Sequence, residues 1–172
     1  MEKDEKINLL LVDDEEAFLD SISRRLQIRD FNVIVAGNGT CALEIARTSA
    51  IDVAVVDLKM PGLSGGEVIL RLKEEHPWLE IIILTGHGSF DPETEDFCSA
   101  AFSFLAKPCD LETLIDVVID AYKKTIMNKH RLSSNQMDNF LLGCESKMPG
   151  SIATKLKKMD ASLSETTKEG GI

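Results

Sequence analysis

Between residues 7 and 127, short apolar runs alternate with longer stretches of mixed polarity. The runs fall at 7–12, 31–36, 52–57, 81–85 and 102–106, and most carry Val, Ile or Leu on consecutive positions rather than every second one. Consecutive apolar residues predict strands covered on both sheet faces. In the intervening stretches Phe18, Ile22 and Leu26 recur at every fourth position, and Val68, Ile69 and Leu72 form a second stripe. Leu111, Leu114, Ile115, Val118 and Tyr122 form a third, the spacing that gives a helix one apolar face. Val117 and Ala121 are expected to leave some apolar surface on that last helix. Asp91 before Pro92 has the form of an N-cap with proline at the first helical position, and Asp110 can cap the helix that begins at Leu111.

Five strand–helix pairs in this span predict an α/β domain over residues 6–127, with a doubly wound five-stranded parallel sheet and five helices. Beyond Asn128 the pattern weakens into a C-terminal tail, 128–172. Met137, Phe140 and Leu141 fit a short helix, and Ile152, Leu156, Met159 and Leu163 fit another, with Lys155, Lys157 and Lys158 beside them. The polar composition of the tail favours disorder or fraying over most of its length.

In a doubly wound sheet, sites lie at the carboxyl ends of the strands. There the sequence places Asp13 and Asp14 after the first strand, Asp57 at the end of the third, Thr85 at the end of the fourth and Lys107 just past the fifth. Three carboxylates gathered at one edge repel one another, so a positive charge is needed among them. A hard divalent cation suits oxygen ligands, and Mg²⁺ in particular favours one or two carboxylates with waters and phosphate oxygens. A carboxylate beside such an ion, a lysine and a hydroxyl is equipped to attack phosphorus. Singly, each residue has a plainer reading: Asp13 and Asp14 as helix caps, Asp57 as a turn residue, Lys107 as a solvated lysine and Phe104 as core. Their joint order carries the chemistry.

The net charge of −10 is unevenly spread. Residues 1–127 hold 24 acids and 12 bases, a net of −12, whereas 128–172 hold 5 acids and 7 bases, a net of +2. So acidic a domain is a poor match for a phosphate backbone, and no direct nucleic-acid contact is expected. No apolar run approaches the roughly 20 residues of a membrane span, and the apolar run after Lys6 is too short for a signal-peptide core. Cys41, Cys98, Cys109 and Cys144 stand singly, without metal-ligand spacing, and read as free thiols. The expected location is cytoplasmic.

Four segments together carry a family resemblance: Leu9-Leu10-Leu11-Val12-Asp13-Asp14-Glu15, Val56-Asp57-Leu58-Lys59-Met60-Pro61-Gly62-Leu63-Ser64-Gly65, Leu84-Thr85-Gly86-His87-Gly88 and Phe104-Leu105-Ala106-Lys107-Pro108. In order and spacing the chain resembles a receiver domain of the bacterial two-component response regulators, over about residues 6–125, with the flavodoxin-like fold of that family. The resemblance implies that Asp57 is the phosphoacceptor and that Asp13, Asp14, Asp57 and the Lys59 carbonyl hold Mg²⁺. It implies that Thr85 binds the phosphoryl group, that Lys107 pairs with it before a cis bond to Pro108, and that Phe104 is the switch aromatic. The implied donor is a histidine kinase or a histidine phosphotransfer protein. The output is a phospho-switched downstream protein partner or onward relay of the phosphoryl group, with Mg²⁺-dependent autodephosphorylation and no turnover of an external substrate.

Lys59 and His87 depart from the family pattern at positions that line the path of the hydrolytic water, so both are expected to modulate phosphate lifetime; a plain solvent-facing loop histidine is an equal reading of His87. The acidic stretch 91–99 gives the fourth helix an unusual charge. No output domain is recognisable after Tyr122, which predicts a stand-alone receiver; Leu141 to Ser146 bear only a faint likeness to the linker entering an ATPase module of some transcriptional regulators. A Mg²⁺-dependent phosphohydrolase of the haloacid-dehalogenase type is the enzyme alternative, but Asp57-Leu58-Lys59 lacks that class's second aspartate. A flavodoxin-like cofactor binder is disfavoured by the acids at 13–16. The Lys155–Lys158 stretch also fits docking to a partner or an anionic membrane surface.

Overall fold

The computed structural model describes residues 6–86, 95–144 and 152–169. Five strands, β1 (Asn8–Val12), β2 (Asn32–Ala36), β3 (Val53–Val56), β4 (Glu80–Thr85) and β5 (Ser103–Ala106), form one all-parallel sheet in the order β2-β1-β3-β4-β5. The strands match the five apolar runs, and every residue of β3 and β4 is buried. Covering both faces is what consecutive apolar residues require.

Each face has its own core. Helices α1 (Glu16–Ile28) and α5 (Leu111–His130) pack with Leu9, Leu11, Val53, Val55, Ile82 and Leu84 on one side. Helices α2 (Gly39–Thr48) and α3 (Gly65–Glu75) pack with Leu10, Val12, Ala54, Val56, Ile81 and Ile83 on the other. Short α4 (Glu95–Cys98) joins that second side through Phe97. Asp110 caps α5 by accepting from the Thr113 N–H at 3.1 Å, and Ser64 and Glu67 form a reciprocal capping box at the start of α3. The expected cap at Asp91-Pro92 lies outside the described residues, as does His87.

The tail differs from expectation. Residues 134–144 form α6 (Ser134–Cys144) and 152–169 form α7 (Ile152–Glu169), so the disorder expected over most of the tail gives way to helix. The cause is the length of α5. Its 20 residues reach about 30 Å, against roughly 17 Å for a five-residue strand, so the helix overruns the sheet. Ala121, Tyr122, Thr125 and Ile126 on this last part of α5 are nonetheless buried. Met137 of α6 and Ala153, Leu156 and Met159 of α7 complete their cover within the same cluster. Ala121 is fully buried, so it leaves none of the apolar surface expected of the fifth helix, whereas Val117 packs against the cluster but stays partly exposed.

A polar cluster pins α7 at the amino edge of the sheet. Asp160 accepts from the Tyr122 hydroxyl at 2.9 Å and from Lys129 at 3.1 Å, with His130 Nε2 at 2.8 Å. Lys157 donates to Asp52 at 2.6 Å, and Asp52 also accepts from the Asn8 N–H. Burial works against the charge on Asp160, but its His130, Lys129 and Tyr122 partners hold the carboxyl below its ordinary range. The apolar face of α7 and Lys157 are thereby engaged within the domain, which leaves the expected docking of this stretch to a membrane or partner without its apolar face.

Candidate functional site

At the opposite, carboxyl edge the parallel sheet delivers the expected side chains to one place. The chain leaves β1 through Asp13, whose N–H donates to the Ala36 carbonyl at 3.1 Å, and leaves β3 through Asp57, whose N–H donates to Val12 at 2.9 Å. Main-chain bonds of the sheet therefore fix both carboxylates side by side. Thr85 ends β4, and Lys107 follows β5 with its N–H donating to the Thr85 carbonyl at 2.8 Å. The Lys107–Pro108 bond is cis.

One carboxylate oxygen from each of Asp13, Asp14 and Asp57 lies within 4.8 Å of the others. Asp13 is 3% exposed and Asp57 6%, whereas Asp14 faces solvent. Lys107 Nζ pairs closely with Asp13 Oδ2 and lies 3.6 Å from Glu15 and 4.0 Å from Asp57 Oδ2. Burial pushes the Asp57 carboxyl above its usual range, and the neighbouring Asp13 charge pushes the same way. Lys107, the Thr85 hydroxyl and the Lys59 N–H oppose the rise without cancelling it. Burial also works against the Lys107 ammonium, yet Asp13, Asp57 and Glu15 hold its pKa above that of an ordinary lysine.

A second oxygen of Asp57, Oδ1, is buried and has no hydrogen-bond partner among the described residues. Buried carboxylate oxygens are normally satisfied, and leaving one unpaired is costly. An unpartnered oxygen at the meeting point of three carboxylates is a fit for a divalent cation with oxygen ligands. Asp13 Oδ1 also accepts from the Glu15 N–H at 2.9 Å, but the N-cap of α1 is Glu15 without a side-chain capping bond, so the helix-cap reading of Asp13 and Asp14 does not hold.

Phe104 is half-buried in β5 and packs with the α2–α3–α4 core. Lys59 is exposed. Three residues of the site were not singled out from the sequence as part of it. Glu15 is the third anion on Lys107, and Phe18, read only as part of an apolar stripe, lies with its ring centroid 4.1 Å from Lys107 Nζ. Gly65, quoted only as the end of the second resemblance segment, lets the start of α3 approach the main chain of Asp57 so closely that a Cβ would collide with the Asp57 carbonyl. A glycine pair before a helical stripe was the available signal for this last contact.

Among the described residues, no helix is long and apolar enough to cross a membrane. Nothing in the comparisons with known proteins supports a haloacid-dehalogenase phosphohydrolase. Instead, the model of the response regulator receiver domain matches residues 9–119. The transcriptional regulatory protein GlrR of Escherichia coli K12 is 30% identical over 118 residues, 69% of this chain and 27% of that protein. The photosynthetic apparatus regulatory protein RegA of Rhodobacter capsulatus is 31% identical over 112 residues, 65% of this chain and 61% of RegA. This chain thus spans only about a quarter of the length of relatives such as GlrR.

Among solved structures, a receiver domain from Clostridium thermocellum is similar with a TM-score of 0.63 and 33% identity, covering 69% of this chain and 95% of that one. The response regulator TrrA of Thermotoga maritima, in complex with Mg²⁺ and BeF, gives a TM-score of 0.62 and 26% identity over 67% of this chain and 98% of its own. With the parallel sheet, the acidic cluster and the lysine all in register with the matched segment, this chain belongs to the response regulator receiver domain family.

Proposed function

We propose that Asp57 is the phosphoacceptor of this receiver, charged by a phosphohistidine on a kinase or phosphotransfer protein. A carboxylate oxygen of Asp57 attacks phosphorus; the new P–O bond forms as the P–N bond to the donor imidazole breaks, and the imidazole leaves with the electron pair and takes up a proton. Asp13, Asp14 and Asp57, with the Lys59 carbonyl, would hold Mg²⁺, which when bound supplies a Lewis acid toward the phosphoryl oxygens. Lys107 is the fixed cation for a phosphoryl oxygen and Thr85 the hydroxyl donor. The observation that carries this reading is the buried, unpartnered Asp57 Oδ1 at the centre of three carboxylates, with Lys107 Nζ 4.0 Å from the other oxygen. The Mg²⁺ in the complex of the related TrrA supports the choice of ion.

Exchange of the Asp57–Lys107 pairing for a phosphoryl–Lys107 pairing would draw Thr85 toward the acceptor and turn Phe104, altering the surface offered to a downstream protein or to a second phosphotransfer protein. Lys59 and His87 would tune the lifetime of the phosphate. The reading places the chain in the cytoplasm, where a kinase domain can reach it. Intact-protein mass spectrometry after incubation with Mg²⁺ and acetyl phosphate tests the chemistry. One added phosphoryl mass is expected in the wild type and none in Asp57→Asn or in EDTA. An adduct that survives Asp57→Asn overturns the assignment.

A further inference from the structure

Lys107 is a long, flexible cation held at the site by groups that also suit a metal. Its close partner is Asp13, with Asp57 at 4.0 Å, and both belong to the carboxylate cluster. The third anion, Glu15, is two-thirds exposed and draws the ammonium outward. A divalent cation among Asp13, Asp14 and Asp57 would take the oxygens that now neutralise Lys107 and would repel the ammonium as well. Lysine carries considerable rotamer freedom and a strongly hydrated charge, so without another hold it would turn toward water.

One neighbour is not lost in that exchange. The Phe18 ring lies 4.1 Å from Lys107 Nζ, within the range at which a ring face attracts a cation. Phe18 stands in the first turn of α1 and packs against the α1–α5 core, so its ring is held from behind. A ring face is uncharged: a metal does not compete for it, and it offers no strong acceptor that would divert the ammonium from a phosphoryl oxygen. The side chain of Lys107 is only 14% exposed, so this attraction acts where water screens it little.

We propose that Phe18 is a positioning residue for Lys107, its ring face seating the Nζ ammonium beside Asp57 once a divalent cation occupies Asp13. It rests on the role of Lys107 as the cation that meets the phosphoryl group. An aliphatic side chain at position 18 fills the core equally but leaves Lys107 unseated; an aromatic one keeps the seat.

Two measurements on the full chain test this. In the first, the Lys107 ε-methylene resonances are followed by NMR with and without saturating Mg²⁺. An upfield ring-current shift present in both states, and absent in Phe18→Leu, is expected; loss of that shift on adding Mg²⁺ to the wild type overturns the proposal. In the second, the rate of phosphorylation by acetyl phosphate is measured at saturating Mg²⁺. Phe18→Leu is expected to slow it by about 2- to 30-fold, the span one cation–π contact supports. Phe18→Tyr should keep most of the rate, and Phe18→Leu should have no further effect in a Lys107→Met background. An equal loss in that background would mark a purely structural role and sink the idea. A wild type that takes no phosphoryl group defeats the Asp57 assignment, and the seating of Lys107 is then decided by the NMR measurement.

Discussion

Leu156→Ala tests whether the tail is part of the receiver's core. Leu156 is fully buried on α7, in one cluster with Tyr122 and Ile126 of α5 and Met137 of α6. Truncating a fully buried leucine removes its transfer free energy and leaves a cavity, together about 2–5 kcal/mol. A leucine on a frayed, solvated tail would cost within about 0.5 kcal/mol. The two cases are therefore separated by at least a few times the error of a chemical melt. Urea unfolding of the full chain, followed by the fluorescence of its single tryptophan, Trp78, and by far-UV circular dichroism, reads the difference. If α7 and the sheet unfold together, both probes shift to lower urea by the same amount with an unchanged slope. If α7 undocks first, the loss is capped at its docking free energy and helicity falls before the tryptophan responds. A variant within about 0.5 kcal/mol of wild type by both probes would refute the packing of α7 described here.

Further outcomes follow from the two polar edges and from the start of α3. In EDTA at neutral pH, Asp57→Asn should be more stable than wild type. A carboxyl raised by folding costs stability when ionised, and the difference should shrink as pH falls through its raised pKa. Mg²⁺ at a hundred times its dissociation constant should then stabilise the wild type by about 2.7 kcal/mol and reverse the order, as thermal melts would show. Asp160→Asn should lower stability at pH 7 by roughly 1–3 kcal/mol, because the amide keeps only one of the two oxygens shared by Tyr122, Lys129 and His130 and none of the charge. Since folding lowers the Asp160 pKa, that deficit should be full above the ordinary carboxylate pKa of about 3.9 and fade as pH falls through the folded value; a deficit that grows on acidification would contradict it. Gly66→Ala would place a Cβ 2.6 Å from the Phe97 ring, so amide spectra should report a displaced α4 with Asp57 still phosphorylated, whereas Gly65→Ala, which strikes the Asp57 main chain itself, should abolish phosphorylation.

The sheet was legible in the sequence because a strand buried on both faces needs no partner to be recognised; 52–57 and 81–85 read as strands on composition alone. The gathering of Asp13, Asp14, Asp57, Thr85 and Lys107 was legible for a related reason, since parallel topology carries every strand end to one edge. Side-chain contacts that do not follow from strand order were not legible. Nothing in the spacing distinguishes Phe18 as a ring over Lys107 from Phe18 as one more apolar residue of α1. The two tail helices were legible from their spacing, but their docking was not, because the partner surface is created by the overrun of α5. Leu156 and Met159 have helical spacing, but their burial depends on Ala121 and Ile126, some 30 residues earlier. Likewise Asp160 is an unremarkable tail acid until Tyr122, Lys129 and His130 converge on it.

The two ends of the sheet differ in how completely their buried charges are satisfied. At the amino edge Asp160 has three partners and Asp52 is met by Lys157 and the Asn8 N–H, so the polar groups there favour one arrangement. At the carboxyl edge two buried aspartates share one lysine, and Asp57 Oδ1 has no partner among the described residues. Electrostatic cost is thus concentrated where a cation can relieve it, and a ligand shifts a conformational equilibrium only by its difference in affinity between the states. On the proposed function, the response would fall on the elements around the site, β5 with Phe104 and α4 with Phe97, which pack in the α2–α3 core away from α7.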